Sequence, residues 1–185
     1  MRKLWKSLLG LWVIGMGLGV SAPAQAASGV GPYYAMPAWD QTLPAATRFV
    51  VLTNMASQAV LDRETGLVWE QSPDTSTRDW QDAQLHCNQK TVGGRKGWRL
   101  PGIQELASLI DPTVAYPGPT LPPGHPFINV IVPHFGYWSA TAFAEFPIFA
   151  WFVAFESGDV NRVLKSASGS FFAWCVRGGR GPDAQ

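Results

Sequence analysis

The side chains here best able to do chemistry are two cysteines, Cys87 and Cys175, and two histidines, His125 and His134, with Asp111 upstream of them. Cysteine offers a nucleophilic thiolate, a metal ligand or a covalent cross-link. Neither cysteine sits in a Cys-x-x-Cys pair, so the usual redox and zinc spacings are missing. His125, His134 and Asp111 add up to three zinc ligands, but zinc ligands usually come in closely spaced pairs and these do not. Two loop histidines are the simpler reading, and no metal is expected. No Ser–His–Asp order, paired-carboxylate motif or glycine-rich phosphate loop stands out. With no nucleophile set beside a base, the chain reads as non-catalytic and without a cofactor.

How the cysteines are used depends on where the chain works. Arg2, Lys3 and Lys6 flank an apolar run over residues 8–20, and Ala24-Gln-Ala26 is a small-residue cleavage pattern. That run is too short to cross a bilayer comfortably. Residues 1–26 are therefore expected to be a signal peptide. The mature chain would be periplasmic, secreted or at the cell surface, with no stable membrane insertion after cleavage. No cysteine lies near the cut, so no lipid anchor is expected. In an oxidising compartment an even pair of cysteines is most simply a disulfide, here Cys87–Cys175. Cleavage removes Arg2, Lys3 and Lys6 from the 14 Lys and Arg residues, leaving the 13 Asp and Glu in excess by two. Such a field does not favour a polyanion, and nucleic acid is not expected as a partner.

The elements that must position these residues can be read from periodicity. Residues 27–47 are rich in Ala, Gly and Pro and read as a flexible arm, with Tyr33, Tyr34 and Trp39 able to pack on the domain. Short strands are expected over 49–52 and 59–61, then a turn over 62–66 with Asp62 and Gly66 as turn residues, and a return strand over 67–70. Ser76-x-x-Asp79 reads as a capping-box start for a helix. Trp80, Ala83 and Cys87 then share one face and point Cys87 inward. A second helix is expected from Pro101, with Ile103, Leu106, Ala107 and Ile110 as its apolar stripe, ending before Pro112. Arg99 and Glu105 read equally as an ion pair near this helix or as ordinary surface residues.

Residues 111–136 contain seven prolines and read as a long irregular loop, tethered to the core by residues 127–132. Strands follow over 136–141, 150–156 and 160–164, and a closing strand over 171–177 carries Cys175. Trp69, Trp80, Trp98, Trp138, Trp151 and Trp174 fall inside periodic segments and read as core. The plan is α+β: two short helices packed on antiparallel strands, with a long irregular loop and one disulfide joining the first helix to the last strand.

Four blocks then stand in order. They are Val60-Leu-Asp-Arg-Glu-Thr-Gly-Leu-Val-Trp-Glu70; Trp80-x-x-Ala83-x-x-x-Cys87; Gly97-Trp-Arg-Leu-Pro-x-x-x-Glu-Leu106; and Tyr137-Trp-Ser-x-Thr141 followed by Trp151-x-Val-x-Phe-x-x-Gly158 and Cys175-Val-Arg-Gly-Gly179. Together they resemble the Lcl C-terminal domain family, named for the end domain of a bacterial collagen-like adhesin. The resemblance covers about residues 58–180 and implies a C-type-lectin-like fold; with structure beginning near Arg48, the domain is expected over 48–180, with 181–185 as a tail. That fold also pins its first helix to its last strand by a disulfide and carries a long loop after its second helix. The adhesin implies binding of sulfated glycans at a cell surface. No Gly-X-Y stalk occurs in this chain, so trimerisation is not implied and the oligomeric state stays open.

Two other properties of related folds are not expected here. Calcium-dependent sugar binding needs a cluster of oxygen ligands. The Glu-Pro-Asn or Gln-Pro-Asp triplet of such lectins is absent, and the long loop offers only Asp111 and Asn129. The formylglycine-generating oxidases of a related branch need a pair of active-site cysteines, and both cysteines here are assigned to the bridge.

What remains is surface. If the fold holds, the loop 112–136, residues 143–148 and the turn 165–170 should cluster at one end. Tyr116, Phe135, Phe143 and Phe146 are the candidate ligand contacts. Arg162, Lys165 and Arg177 are candidate cations for sulfate or carboxylate. The expected function is an exported, non-catalytic, lectin- or adhesin-like binding module. It would hold a glycan or protein ligand at the cell envelope through its loop face, without metal. The alternative is a structural or assembly subunit of an envelope complex.

Overall fold

A computed structural model describes residues 43–132 and 136–179. The expected signal peptide, most of the arm, Phe135 and the tail lie outside the described residues. In chain order the first elements are a single helical turn α1 (Ala45–Arg48) and the strands β1 (Phe49–Val51), β2 (Ala59–Asp62) and β3 (Val68–Glu70). Helix α2 (Trp80–Gln89), strand β4 (Trp98–Arg99) and helix α3 (Ile103–Ala107) follow. The rest is strand: β5 (Gly136–Ala142), β6 (Phe149–Ala154), β7 (Asp159–Leu164), β8 (Phe171–Phe172) and β9 (Val176–Arg177). The architecture is α+β, as expected.

The strands form two sheets, ordered β1-β2-β3-β9-β4 and β7-β6-β5-β8. The expected hairpin is present: Val60 faces Trp69 across β2 and β3, joined by a turn. One expectation fails in the closing segment. Residues 171–177 are two short strands in different sheets, where a single strand was expected. Phe171 and Phe172 pair in parallel with Gly136 and Tyr137 of β5. Val176 then pairs with Trp69 of β3 and Arg99 of β4. Between them Ala173, Trp174 and Cys175 cross from sheet to sheet, all fully buried. The apolar run over 171–176 reads as one strand in sequence, because periodicity cannot reveal a change of partner.

Helix α2 joins the two sheets. Its N-cap is Asp79, whose carboxylate accepts from the Asp82 N–H at 2.8 Å. The expected Ser76 start is displaced because the Ser76 N–H is held instead by Asp74 in a local turn. Ala83 and Cys87 are buried as read. The Cys87–Cys175 disulfide is present, with Cα atoms 5.3 Å apart and a sequence separation of 88. Trp80 Nε1 donates to the Ser139 carbonyl at 2.7 Å, and Trp138 Nε1 donates to the Arg78 carbonyl at 2.9 Å. Helix α3 starts two residues later than Pro101 suggested. Gly102 is its cap, and the Glu105 carboxylate reaches back to the Gly102 N–H at 2.8 Å.

The arm was expected to be flexible to residue 47, yet its described end is docked. The Pro44 carbonyl accepts from both the Thr47 and Arg48 N–H groups at 2.8 Å, closing the turn of α1. Arg48 is buried and makes a two-pronged ion pair with Asp62, at 3.0 and 2.8 Å. It reaches Glu64 at 2.9 Å and the Ser108 carbonyl at 2.8 Å as well. Asp62 is therefore the buried partner of an arginine as well as a turn residue. Arg99 and Glu105 do form an ion pair, both contacts at 2.7 Å, and Arg99 also donates to the Gly178 carbonyl.

The described part of the long loop carries no helix or strand and is pinned at several points. Thr120 donates through both its N–H and its hydroxyl to the Phe155 carbonyl, at 2.7 and 2.9 Å. Gly118 N–H donates to the Glu156 carbonyl at 2.8 Å, and a side chain at Gly118 would collide with the Phe155 carbonyl oxygen. Further along, Leu121 and Phe127 are buried. The later tether is thus present as read. Phe127 meets Trp174 with ring centroids 4.9 Å apart, and Trp174 also meets Tyr137, Phe155 and Trp69 at 5.5, 5.6 and 5.8 Å.

Candidate functional site

The register of the β6–β7 hairpin decides which surface residues meet. Opposed residues of an antiparallel pair share a face. Phe149 opposes Leu164, Trp151 opposes Arg162 and Val153 opposes Val160. Phe143, just past the end of β5, bonds through its N–H to the Phe149 carbonyl at 2.9 Å and so lies beside the same face. Along this face Val153 is buried and Trp151 half-buried against the core, while Arg162, Val160 and Leu164 are exposed.

The outer end of that face is an aromatic patch with one cation on it. The Arg162 guanidinium lies 4.5 Å from the Phe143 ring centroid and 6.0 Å from that of Trp151. Phe143 meets Trp151 edge-on at 5.7 Å and Phe146 at 6.0 Å. Phe146 and Ile148 are more than half exposed, at 53% and 64%. No carboxylate forms an ion pair with Arg162 among the described residues. The guanidinium's flat face rests on the rings, which leaves the edge of the fork with its N–H donors directed away from them. Chemically, the patch can stack a ring or an apolar chain and hold an anion beside it.

The other expected contacts do not join this patch. Tyr116 lies in the long loop, bonded to Glu156, which raises its phenol above the ordinary value. The loop is fastened at Phe155 and Glu156, the far end of the hairpin from Phe149. Six residues of strand separate those ends, about 20 Å at the usual rise. The described part of the loop and residues 143–148 therefore do not cluster at one end, contrary to expectation. Lys165 continues β7 but lies over the Trp80 ring of α2, its Nζ 3.8 Å from the centroid, on the opposite face from Arg162. Arg177 belongs to the other sheet and donates to the Lys96 carbonyl at 2.9 Å. Phe135 lies outside the described residues.

Trp151, Ile148, Val160 and Leu164 were not among the residues expected to form a site. Their signal in the sequence was the alternation of residues 160, 162 and 164, which would have placed Arg162 among exposed aliphatic neighbours. Trp151 was read as core, and it does pack on the core while also facing Phe143.

The ionisable groups elsewhere serve the fold. Glu70 is buried, and its carboxylate bonds Lys90 at 2.9 Å and the Cys175 N–H at 3.0 Å. Burial raises its pKa against the lowering effect of Lys90. Asp74 is held down at about 2: its bonds to Arg78 and the Ser76 N–H outweigh a burial penalty that pushes the other way. Beside it His86 is lowered to about 4, first by burial and then by Lys90 and Arg78. Among the described residues no group of three or more His, Cys, Asp and Glu side chains is placed to hold a metal ion. No described helix is long and apolar enough to cross a membrane.

Residues 58–177 match the model of a protein family described as the Lcl C-terminal domain, a span of well over half the chain. Comparison with curated proteins finds no match.

Proposed function

The chain belongs to the Lcl C-terminal domain family, and from that premise we propose that it is a non-catalytic binding module that takes an anionic glycan on the Phe143–Trp151–Arg162 face. The observation that carries this reading is Arg162, laid on the Phe143 ring with no acidic partner among the described residues. Aromatic rings give a sugar ring an apolar platform, and a guanidinium forks onto sulfate or carboxylate. Ligand sites of this kind place a few polar groups in mostly apolar walls. Phe143, Phe146 and Arg162 of the expected contacts belong to the site, and Trp151 joins them.

The same reading includes export and a C-type-lectin-like fold. The leader pattern in residues 1–26 and the disulfide agree with an oxidising compartment. The wiring of that disulfide from α2 to the segment before β9, and the long loop after α3, agree with such a fold. A second reading, a structural subunit of an envelope complex, is favoured by Ile148, Val160 and Leu164, exposed aliphatic side chains around the same face.

Binding of the oxidised protein to sulfated and neutral glycans, at low and moderate salt, separates the two. Saturable binding to sulfated members, weakening with salt and lost in Arg162→Ala, supports the glycan site. No binding to any glycan, with a fixed protein partner recovered through the same face, would replace it with the subunit reading.

A further inference from the structure

A second concavity lies away from the aromatic patch, and we propose that it takes an extended peptide segment carrying lysine or arginine. It is an open groove of about 820 Å³ between α1, the β2–β3 turn, α3 and the long loop. Its walls are largely apolar, with Pro44 from α1's entry, Ala107 and Ile110 from the α3 side, and Pro112, Pro122 and Pro123 from the loop. Proline side chains hold their shape, so these walls lose little freedom when a ligand enters. The groove is also anchored beneath: the Asp111 N–H donates to the Thr120 carbonyl at 2.8 Å, and Thr120 is fixed to Phe155.

Charge decides the occupant. Among the described residues the one basic residue in the lining, Arg48, is buried and committed to Asp62, Glu64 and the Ser108 carbonyl. It neutralises one of the two carboxylates it touches. Asp111 adds another carboxylate, held ionised by two bonds from Thr113 at 2.9 and 2.7 Å. The described lining therefore carries net negative charge and offers no free cation, so an anion meets no counter-charge from it. Among the described residues no aromatic side chain lines it, so they give a sugar ring no platform. An extended chain with apolar residues against the prolines and a cation towards Asp111 and Glu64 satisfies both features. The exposed Gln104 amide, on the rim, is available to the ligand backbone. This inference does not rest on the glycan site, which has the opposite charge and other elements.

The test is fluorescence anisotropy of the full chain, disulfide formed, with a labelled, end-blocked hexapeptide of alternating proline and lysine. A peptide of alternating proline and glutamate is the control. The lysine peptide is expected to bind saturably, at least about tenfold tighter than the control, and to weaken as salt rises. Gln104→Lys, on the exposed side of α3, and Asp111→Asn should each weaken it several-fold with near-ultraviolet dichroism unchanged. Arg162→Ala should leave it as it was. Equal binding of both peptides, no saturable binding, or indifference to Gln104→Lys would overturn the proposal. Displacement of the peptide by self-association at high protein concentration would also overturn it, by giving the groove to a second copy of the chain.

Discussion

Two arginines of this molecule mark the extremes of what a guanidinium can do. Arg48 is buried, its donors spent on Asp62, Glu64 and a carbonyl, and it serves the fold. Arg162 lies on a ring in solvent and serves a ligand in the proposed function. Charge-assisted bonds contribute about 1.5–3 kcal/mol, so Arg162→Ala is expected to weaken a sulfated glycan about tenfold or more. Arg162→Lys should keep the salt dependence but lose affinity, because an ammonium neither forks nor lies flat. Isothermal titration at two salt concentrations reads both effects, and an unchanged affinity in the alanine variant would remove Arg162 from the site. The sequence offered Arg162 as a candidate but gave no hint of Arg48, since a basic residue before a strand looks like the edge of an arm. Only its three-dimensional partners reveal its role. His86 supplies a prediction of another kind. Its imidazole, at about 4 in the folded protein, returns towards 6.5 on unfolding. Between those values the unfolded chain holds the extra proton, so stability must fall as pH drops from 6.5 towards 4, by no more than ~1.4 kcal/mol per pH unit. His125, also lowered by burial, adds to the same trend, while Glu70, raised, works against it: its contribution is lost as pH rises. Urea unfolding between pH 7 and 4 should give a shallower decline for His86→Gln, and an unaltered slope would contradict the assignment.

At the level of elements, helix α2 carries the most consequence for its length. Ten residues long, it is too short to persist alone in water. Its stability comes from a cap at Asp79, the buried face of Ala83 and Cys87, two indole bonds and a covalent tie to Cys175. Closing a loop of 88 residues constrains the unfolded chain by about 4–5 kcal/mol in the entropic account. Paired Cys87→Ala and Cys175→Ala substitutions are therefore expected to cost about 2–5 kcal/mol, read by thermal unfolding with and without reductant. A loss under 1 kcal/mol would mean that packing alone holds α2. Asp79→Ala should cost about 1 kcal/mol, and Ser76→Ala much less, which separates the true cap from the residue that sequence spacing favoured. The hairpin, both helices and the disulfide were legible because each has a local signature: alternation, a cap, an even cysteine pair. The strand exchange at residues 171–177 was not, because parallel pairing of Phe171 and Phe172 with β5 is a fact about distant neighbours. The scattering of Tyr116, Lys165 and Arg177 away from Arg162 has the same cause. A loop's destination depends on where its N–H groups find acceptors, here the Phe155 and Glu156 carbonyls, and that is not written in the loop.

For the molecule as a whole, the question is whether the two sheets are one cooperative unit or two. No strand pairing holds them together, since among the described residues each sheet pairs only with itself. What joins them is the crossing segment and α2. Trp174, in that segment, touches Trp69 of one sheet, Tyr137 of the other, and Phe127 of the long loop, and it donates through Nε1 to the Glu70 carbonyl at 2.9 Å. Its ring therefore fills a volume shared by both sheets and the long loop. Truncating a buried tryptophan to alanine costs about 3–5 kcal/mol, by lost transfer energy and by the cavity left behind. If the sheets were independent, Trp174→Ala would weaken one and spare the other. Because the contacts are distributed across both, amide protection should fall together in β2–β3 and β5–β6, with a single unfolding transition retained. Hydrogen exchange resolved by segment distinguishes these outcomes. Parallel loss in both sheets would mean that the aromatic patch on β6–β7 and the groove beside β2–β3 rest on one rigid frame, so that ligands at the two sites meet a fixed geometry between them. Loss confined to one sheet would leave each site on its own support, and the spacing between them free to vary.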